Sequence, residues 1–167
     1  TTYVQMDMII TIPSIISFNF WVRPTSGSIL TIIGDNGASN NRGWAAQLVM
    51  STGDVRFTGS NTGLNVNVAS RNSMNAGITY SIWYNICIVK ENASASFYKN
   101  GTLLSDDSGT IYTTYNDSTV FTQIGAVAGT SPLQVFNGDI SIVSVYNRML
   151  TTGEILQNYN ALKNRFI

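Results

Sequence analysis

The feature that most constrains this chain is a recurring alternation of apolar and polar residues in short runs, each stopped by a turn signal. In "SFNFWVR", residues 17–23, Phe18, Phe20 and Val22 fall on one side of an extended backbone and Asn19, Trp21 and Arg23 on the other. Side chains of a strand point alternately to its two faces, so period two marks a strand. Residues 28–34 form a β-branched run ending at a turn, and residues 43–51 set Trp44, Ala46, Leu48 and Met50 against Ala45, Gln47 and Val49. Residues 55–59 continue as a hairpin. Residues 64–70 alternate Leu64, Val66 and Val68 with Asn65 and Asn67, which predicts a strand with one dry and one wet face.

Residues 81–90 and 94–99 predict a strand pair, and Asn100-Gly101 after them accepts positive φ at both turn positions, which predicts a tight hairpin into residues 102–105. Residues 120–126 and 136–147 supply two more strands. About ten short strands with regular turn signals predict an all-β, two-sheet antiparallel sandwich. The pattern then changes. Thr151-Thr152-Gly153-Glu154 is a capping box, Ile155, Tyr159 and Leu162 follow at helical spacing, and Lys163 and Arg165 suit the negative end of the helix dipole. A helix over residues 151–162 is therefore expected to lay Ile155, Tyr159 and Leu162 over an open end or edge of the sheets, with Gln157, Asn158 and Asn160 facing outward.

At 167 residues, the chain fits one domain, residues 1–167, with a single sizeable core. Only 11% of residues are charged, nine basic against nine acidic. The basic residues are spread singly, and without a clustered excess there is no footprint for nucleic acid. No segment is long and apolar enough for a membrane span, because the run at residues 6–22 is broken by Asp7, Pro13, Ser14, Ser17 and Asn19. The one cysteine, Cys87, lies in an apolar run with no partner and, in a chain without histidine, no imidazole to activate it.

Taken in order, "SFNFWVRPTSGSILTIIGDNG", "GITYSIWYNICIVKENASASFYKNGTLL" and "FNGDISIVSVYNRMLTTGEILQNYNALKNRF" resemble the concanavalin A-like lectin/glucanase superfamily in its laminin G-like branch. The marks are Trp21 with Pro24, Trp83 at the head of a strand, the "FYKNG" hairpin, and the last strand running into a capped helix. The resemblance implies a jelly roll of two packed sheets. Its closing residues are similar to those of such domains in phage and giant-virus structural proteins. Members of the family carry a further strand ahead of the one containing "YVQM", and here only Thr1 and Thr2 precede it, so the resemblance implies a place in a longer polypeptide. Where the family writes Trp-His-His, this chain has Trp83-Tyr84-Asn85.

Glucanases on that fold need paired carboxylates on a strand to supply a nucleophile and a general acid. Here the glutamates are Glu91, in a turn, and Glu154, in the helix cap; Asp106-Asp107 reads as turn chemistry. No catalytic residue is assigned, and the chain is expected not to be an enzyme. The resemblance also implies calcium held at a rim by oxygen ligands, for which Asp35 and Asn36 are candidates, although Asp-Asn-Gly is a turn signal needing no metal. Saccharide binding would use an aromatic platform; Trp44, Tyr112 and Tyr115 are candidates, Trp44 falling on the apolar phase of its strand. The leading expectation is a non-catalytic virion or extracellular surface module. It would decorate a capsid or form part of a tail fibre or adhesin, contacting capsid or fibre proteins, cell-surface glycans or copies of itself in an oligomer. The alternative is a lectin domain, calcium-dependent or not, and a glycoside hydrolase stands third.

Overall fold

The strands pair into two antiparallel sheets in the computed structural model, which describes residues 3–35, 37, 40–116, 119–127 and 134–167. In chain order they are β1 Val4–Gln5, β2 Ile15–Ser26, β3 Ile29–Gly34, β4 Trp44–Val49, β5 Asp54–Ser60, β6 Val68–Met74, β7 Tyr84–Glu91, β8 Ser94–Lys99, β9 Thr102–Leu103, β10 Ser105–Asp106, β11 Gln123–Ile124 and β12 Asn137–Tyr146. The larger sheet has seven strands, ordered β1-β11-β3-β4-β5-β6-β10, and the smaller has five, ordered β12-β2-β7-β8-β9. One helix, α1 Thr152–Phe166, follows among the described residues. This is the expected jelly-roll sandwich.

Register decides which side chains meet between the sheets. On β2 and β7, Phe18 lies opposite Ile88 and Phe20 opposite Ile86, while on β4 and β5 Ala46 faces Phe57 and Leu48 faces Val55. These inward phases interlock: the Phe18 ring lies 5.3 Å from Trp44 and 6.0 Å from Phe57. Trp44 is thus a core residue, and its indole Nε1 donates to the Ile10 carbonyl at 3.0 Å. The Asn100-Gly101 turn has φ of 53° and 79°, the left-handed pair that a tight hairpin requires.

Residues 64–70 depart from expectation. Asn65–Asn67 form a 3-10 turn, β6 starts only at Val68, and Val66 is 86% exposed. The side chains of this stretch bond locally instead of leaving the backbone to a ladder: Ser60 Oγ donates to the Leu64 carbonyl, and Asn67 Nδ2 to Thr62 Oγ1 at 2.9 Å. The expected strand at 120–126 likewise shrinks to β11.

A lysine closes one end of the core. Lys90 occupies an inward position of β7, opposite Ala95, and is fully buried. Its Nζ donates to the carbonyls of Asn92 (2.9 Å), Thr113 (2.8 Å), Pro13 (3.2 Å) and Ser14 (3.3 Å), so the ammonium ties three separate segments together. Burial pushes its pKa down to about 8.

The helix covers a face rather than an end or edge. Outward residues of the smaller sheet, Cys87 and Val89 of β7 and Tyr98 of β8, pack with Leu150 and Ile155 in a second apolar cluster. Trp21, on the polar phase of β2, is fully buried there, its ring 4.4 Å from Phe166 and 5.9 Å from Tyr159. Ile155 is buried, but Tyr159 and Leu162 are only half-buried, and Asn158 turns inward to donate to the Tyr146 hydroxyl at 3.3 Å. The expected apolar stripe is therefore extended by Phe166 and includes one polar contact. The capping box forms as the sequence predicts, with Glu154 also bound by Arg148 at 2.7 Å.

Candidate functional site

With the outside of the smaller sheet covered by α1, the outside of the larger sheet carries polar side chains on adjacent strands. Arg56 and Thr58 of β5 point to the face opposite Val55 and Phe57; β4 sets Gln47 beside Arg56, and β6 sets Ser70 beside Thr58. The antiparallel register brings these residues together, since directly opposed residues share a face. They line a cleft of about 220 Å³ together with Arg42 and Gln134.

Gln47 is the hub. Its side-chain oxygen accepts from Arg56 Nε at 3.0 Å and Nη2 at 2.6 Å, while its Nε2 donates to Thr31 Oγ1 at 3.1 Å and Gln134 Oε1 at 2.6 Å. Because Gln47 is buried and holds partners on both sides, the Arg56 guanidinium has a fixed orientation. Thr58 Oγ1 meets Ser70 Oγ at 2.7 Å and the Ala69 carbonyl at 3.1 Å. Burial lowers the pKa of Arg56, which is half-exposed, and Arg42 Nε donates to the Asn65 side-chain oxygen. Convergent, pre-positioned polar groups in a cleft are what a small polar ligand needs. A groove of about 310 Å³ beside α1 and one of about 270 Å³ near β1 have no comparable network of side-chain hydrogen bonds among the described residues.

The residues singled out from sequence lie elsewhere. Trp44 and Tyr115 are buried, so neither offers a ring face for stacking. Tyr115 packs edge-on against Phe57 at 5.7 Å and lies where any side chain at Gly59 would sit; burial pushes its hydroxyl pKa up. Tyr112 is half-buried against the core and meets Tyr115 edge-on at 6.3 Å. Asp35 is buried and accepts from the Trp44 amide at 2.8 Å, directly beneath Gly43, where a Cβ would come within 2.0 Å of its oxygen. Asn36 lies outside the described residues. Asp35 thus points inward with one carboxylate oxygen on a backbone amide, and no group of three or more acidic, cysteine or histidine side chains gathers among the described residues.

Asp106 pairs with Arg71 at 2.6 Å. Burial disfavours the Asp107 carboxylate, but hydrogen bonds from Asn72 and Gly109 and the charge of Arg71 outweigh it and hold its pKa below the usual range. Both aspartates thus tie β10 and its loop to β6. Cys87 is buried under α1, and burial pushes its thiol pKa up to about 12. Among the described residues no helix is long and apolar enough to cross a membrane. Gln47, Arg56, Thr58 and Arg42 were not singled out from sequence; the outward phase shared by positions 47, 56 and 58 was the available signal.

Residues 1–156 match a laminin G family model described as the concanavalin A-like lectin/glucanases superfamily. No curated protein matches the sequence. Among solved structures, the chain is similar to the native heptameric SAP-like pentraxin of Limulus polyphemus at 15% identity and a TM-score of 0.66, over 92% of this chain and 73% of that one. It is also similar to the binding domain of botulinum neurotoxin DC in complex with SialylT, at 20% identity and a TM-score of 0.60, over 89% of this chain and 36% of that one. A structure of botulinum neurotoxin type C, described for cell entry dependent upon interaction with two ganglioside molecules, matches at 22% identity and a TM-score of 0.59, over 95% of this chain and 36% of that one. At these identities the likeness is one of fold, and the chain spans little more than a third of either neurotoxin chain.

Proposed function

The chain belongs to the concanavalin A-like lectin/glucanases superfamily, and on that premise we propose that it is a non-catalytic, glycan-binding module of a virion or extracellular surface protein. The observation that carries this reading is the outer face of the larger sheet, where Gln47 holds Arg56 in one orientation above a cleft edged by the hydroxyls of Thr58 and Ser70. Saccharides present hydroxyls in fixed directions, and a rigid sheet carrying pre-bonded amide, guanidinium and hydroxyl groups meets them with little ordering cost. Two similar structures concern SialylT and ganglioside ligands, which supports a glycan as the ligand class. The non-catalytic part of the reading is supported by where the acids are used: Glu154 in the helix cap, Asp106 and Asp107 in the β10 loop. A composition only 11% charged supports placement outside the cell.

The test is a glycan array probed with the chain and with Ser70→Trp, which fills the cleft from β6. Selective saccharide binding lost in Ser70→Trp is the expected result; binding that survives it places the ligand on another surface. A second reading, a capsid- or fibre-decorating module that contacts protein, is favoured by Leu64, Val66 and Val68, which are exposed together at the β6 rim. Light scattering of the purified chain checks it: self-association abolished by Val66→Lys would favour assembly.

A further inference from the structure

The cleft on the larger sheet holds positive charge with no acid among the described residues that line it. Arg23, Arg71 and Arg148 are each neutralised, by Asp139 at 2.7 Å, Asp106 at 2.6 Å and Glu154 at 2.7 Å. Arg56 and Arg42 instead donate to the amide oxygens of Gln47 and Asn65, and no acidic residue lines their cleft among the described residues. An amide oxygen satisfies a proton but leaves the unit charge uncompensated. The nearest acid along β5, Asp54, is turned away, accepting from Ser73 Oγ at 3.4 Å and the Ala76 amide at 3.2 Å.

Resting on the glycan-binding reading, we propose that the ligand is an acidic saccharide whose carboxylate or sulfate sits against Arg56 and Arg42. A guanidinium has five N–H donors, and Gln47 takes Nε and one proton of Nη2, so among the described residues Nη1 and the second Nη2 proton remain to be matched. Those donors form a planar fork, the geometry that pairs with two oxygens of a carboxylate or sulfate. Gln47, itself held by Thr31 and Gln134, keeps the fork from swinging away, so little side-chain freedom is lost when an anion arrives. The Thr58 and Ser70 hydroxyls beside it are placed for the uncharged part of the same sugar. Burial lowers the Arg56 pKa, as expected of a cation partly withdrawn from water without a counter-ion.

The experiment uses the whole chain on an array carrying hyaluronan oligosaccharides (carboxylate), heparin oligosaccharides (sulfate), and neutral laminarin and lactose. The expected result is binding to an acidic class at least about tenfold above the neutral sugars, reduced by about tenfold or more in Arg56→Gln. It should also weaken as NaCl rises from about 0.05 to 0.5 M, because a charge-assisted contact is screened. Hyaluronan alone assigns the carboxylate, heparin alone the sulfate. A melting temperature within about 3 °C of wild type certifies that the variant is folded. If Arg56→Gln does not fold, Arg42→Gln and the wild-type salt titration decide in its place. Binding to neutral sugars that equals the acidic ones and ignores both salt and Arg56→Gln overturns the acidic ligand while leaving the glycan-binding reading standing. No binding to any saccharide overturns both.

Discussion

Trp21 on β2 and Arg56 on β5 both sit on the outward phase of a central strand, yet Trp21 is shut from solvent beneath Tyr159 and Phe166 while Arg56 keeps part of its guanidinium in water against Gln47. The same alternation gives two different outer faces, and α1 makes the difference. It covers an apolar patch of Cys87, Val89 and Tyr98 on the smaller sheet; no helix covers the larger sheet's polar face among the described residues. A sandwich whose two outer faces differ this way has one face committed to stability and one available for contact. Substitutions should separate the two.

The largest expected effect is at Trp21. Trp21→Ala removes a ring packed between sheet and helix and should lower unfolding free energy by about 3–5 kcal/mol, read from urea denaturation. Ile155→Ala, which opens a gap at the buried anchor of α1, should cost about 2–5 kcal/mol in the same measurement. A loss below about 1 kcal/mol at both would mean that α1 is not an integral layer of the fold.

Thr151→Ala removes the hydroxyl that accepts from the Glu154 amide at 3.3 Å and should cost about 1 kcal/mol. The cap also has a pH signature. The Arg148 hydrogen bonds, then those from Thr151, hold the Glu154 pKa down from 4.5 to about 2. Between those values the unfolded state binds more protons, so stability rises with pH there. The contribution is present above pH 4.5 and is lost as pH falls through about 2; Glu154→Gln should lack that component in acid melts. Smallest is Arg56→Gln, expected to change stability by about 1 kcal/mol or less, since the guanidinium bonds only the Gln47 side-chain oxygen, while Thr31 and Gln134 still hold the rest of that side chain. A loss as large as that of Ile155→Ala would erase the distinction between the faces.

The strands were legible because period two and the Asn100-Gly101 turn act through local stereochemistry that any tertiary context must respect. The site of helix docking was not. Trp21 falls on the nominally wet phase of its strand, and only the length of α1 to Phe166 shows that this phase is covered. Residues 64–70 carried a strand pattern throughout, but only from Val68 do they join β6; Asn65–Asn67 form a turn, where Thr62 and Asn67 satisfy each other more locally than a ladder would. The cleft was the least legible feature. Arg42, Gln47, Arg56 and Ser70 form no motif along the chain; they converge through the β4–β5–β6 register and the 3-10 turn that brings Asn65 to Arg42. The tyrosine candidates stayed open for a related reason: a tyrosine between small polar residues reads equally as core or surface, and only the seat that Gly59 opens for the Tyr115 ring against β5 decides it.

The claim that the larger sheet presents the binding face is tested most directly by following backbone amide shifts of the isotopically labelled chain during titration with an acidic oligosaccharide that it binds on the array. Shifts are expected to cluster at Gln47, Arg56, Thr58 and Ser70, with Cys87, Tyr98 and Ile155 unmoved. Shifts clustered under or around α1, with the β4–β6 face silent, would contradict it.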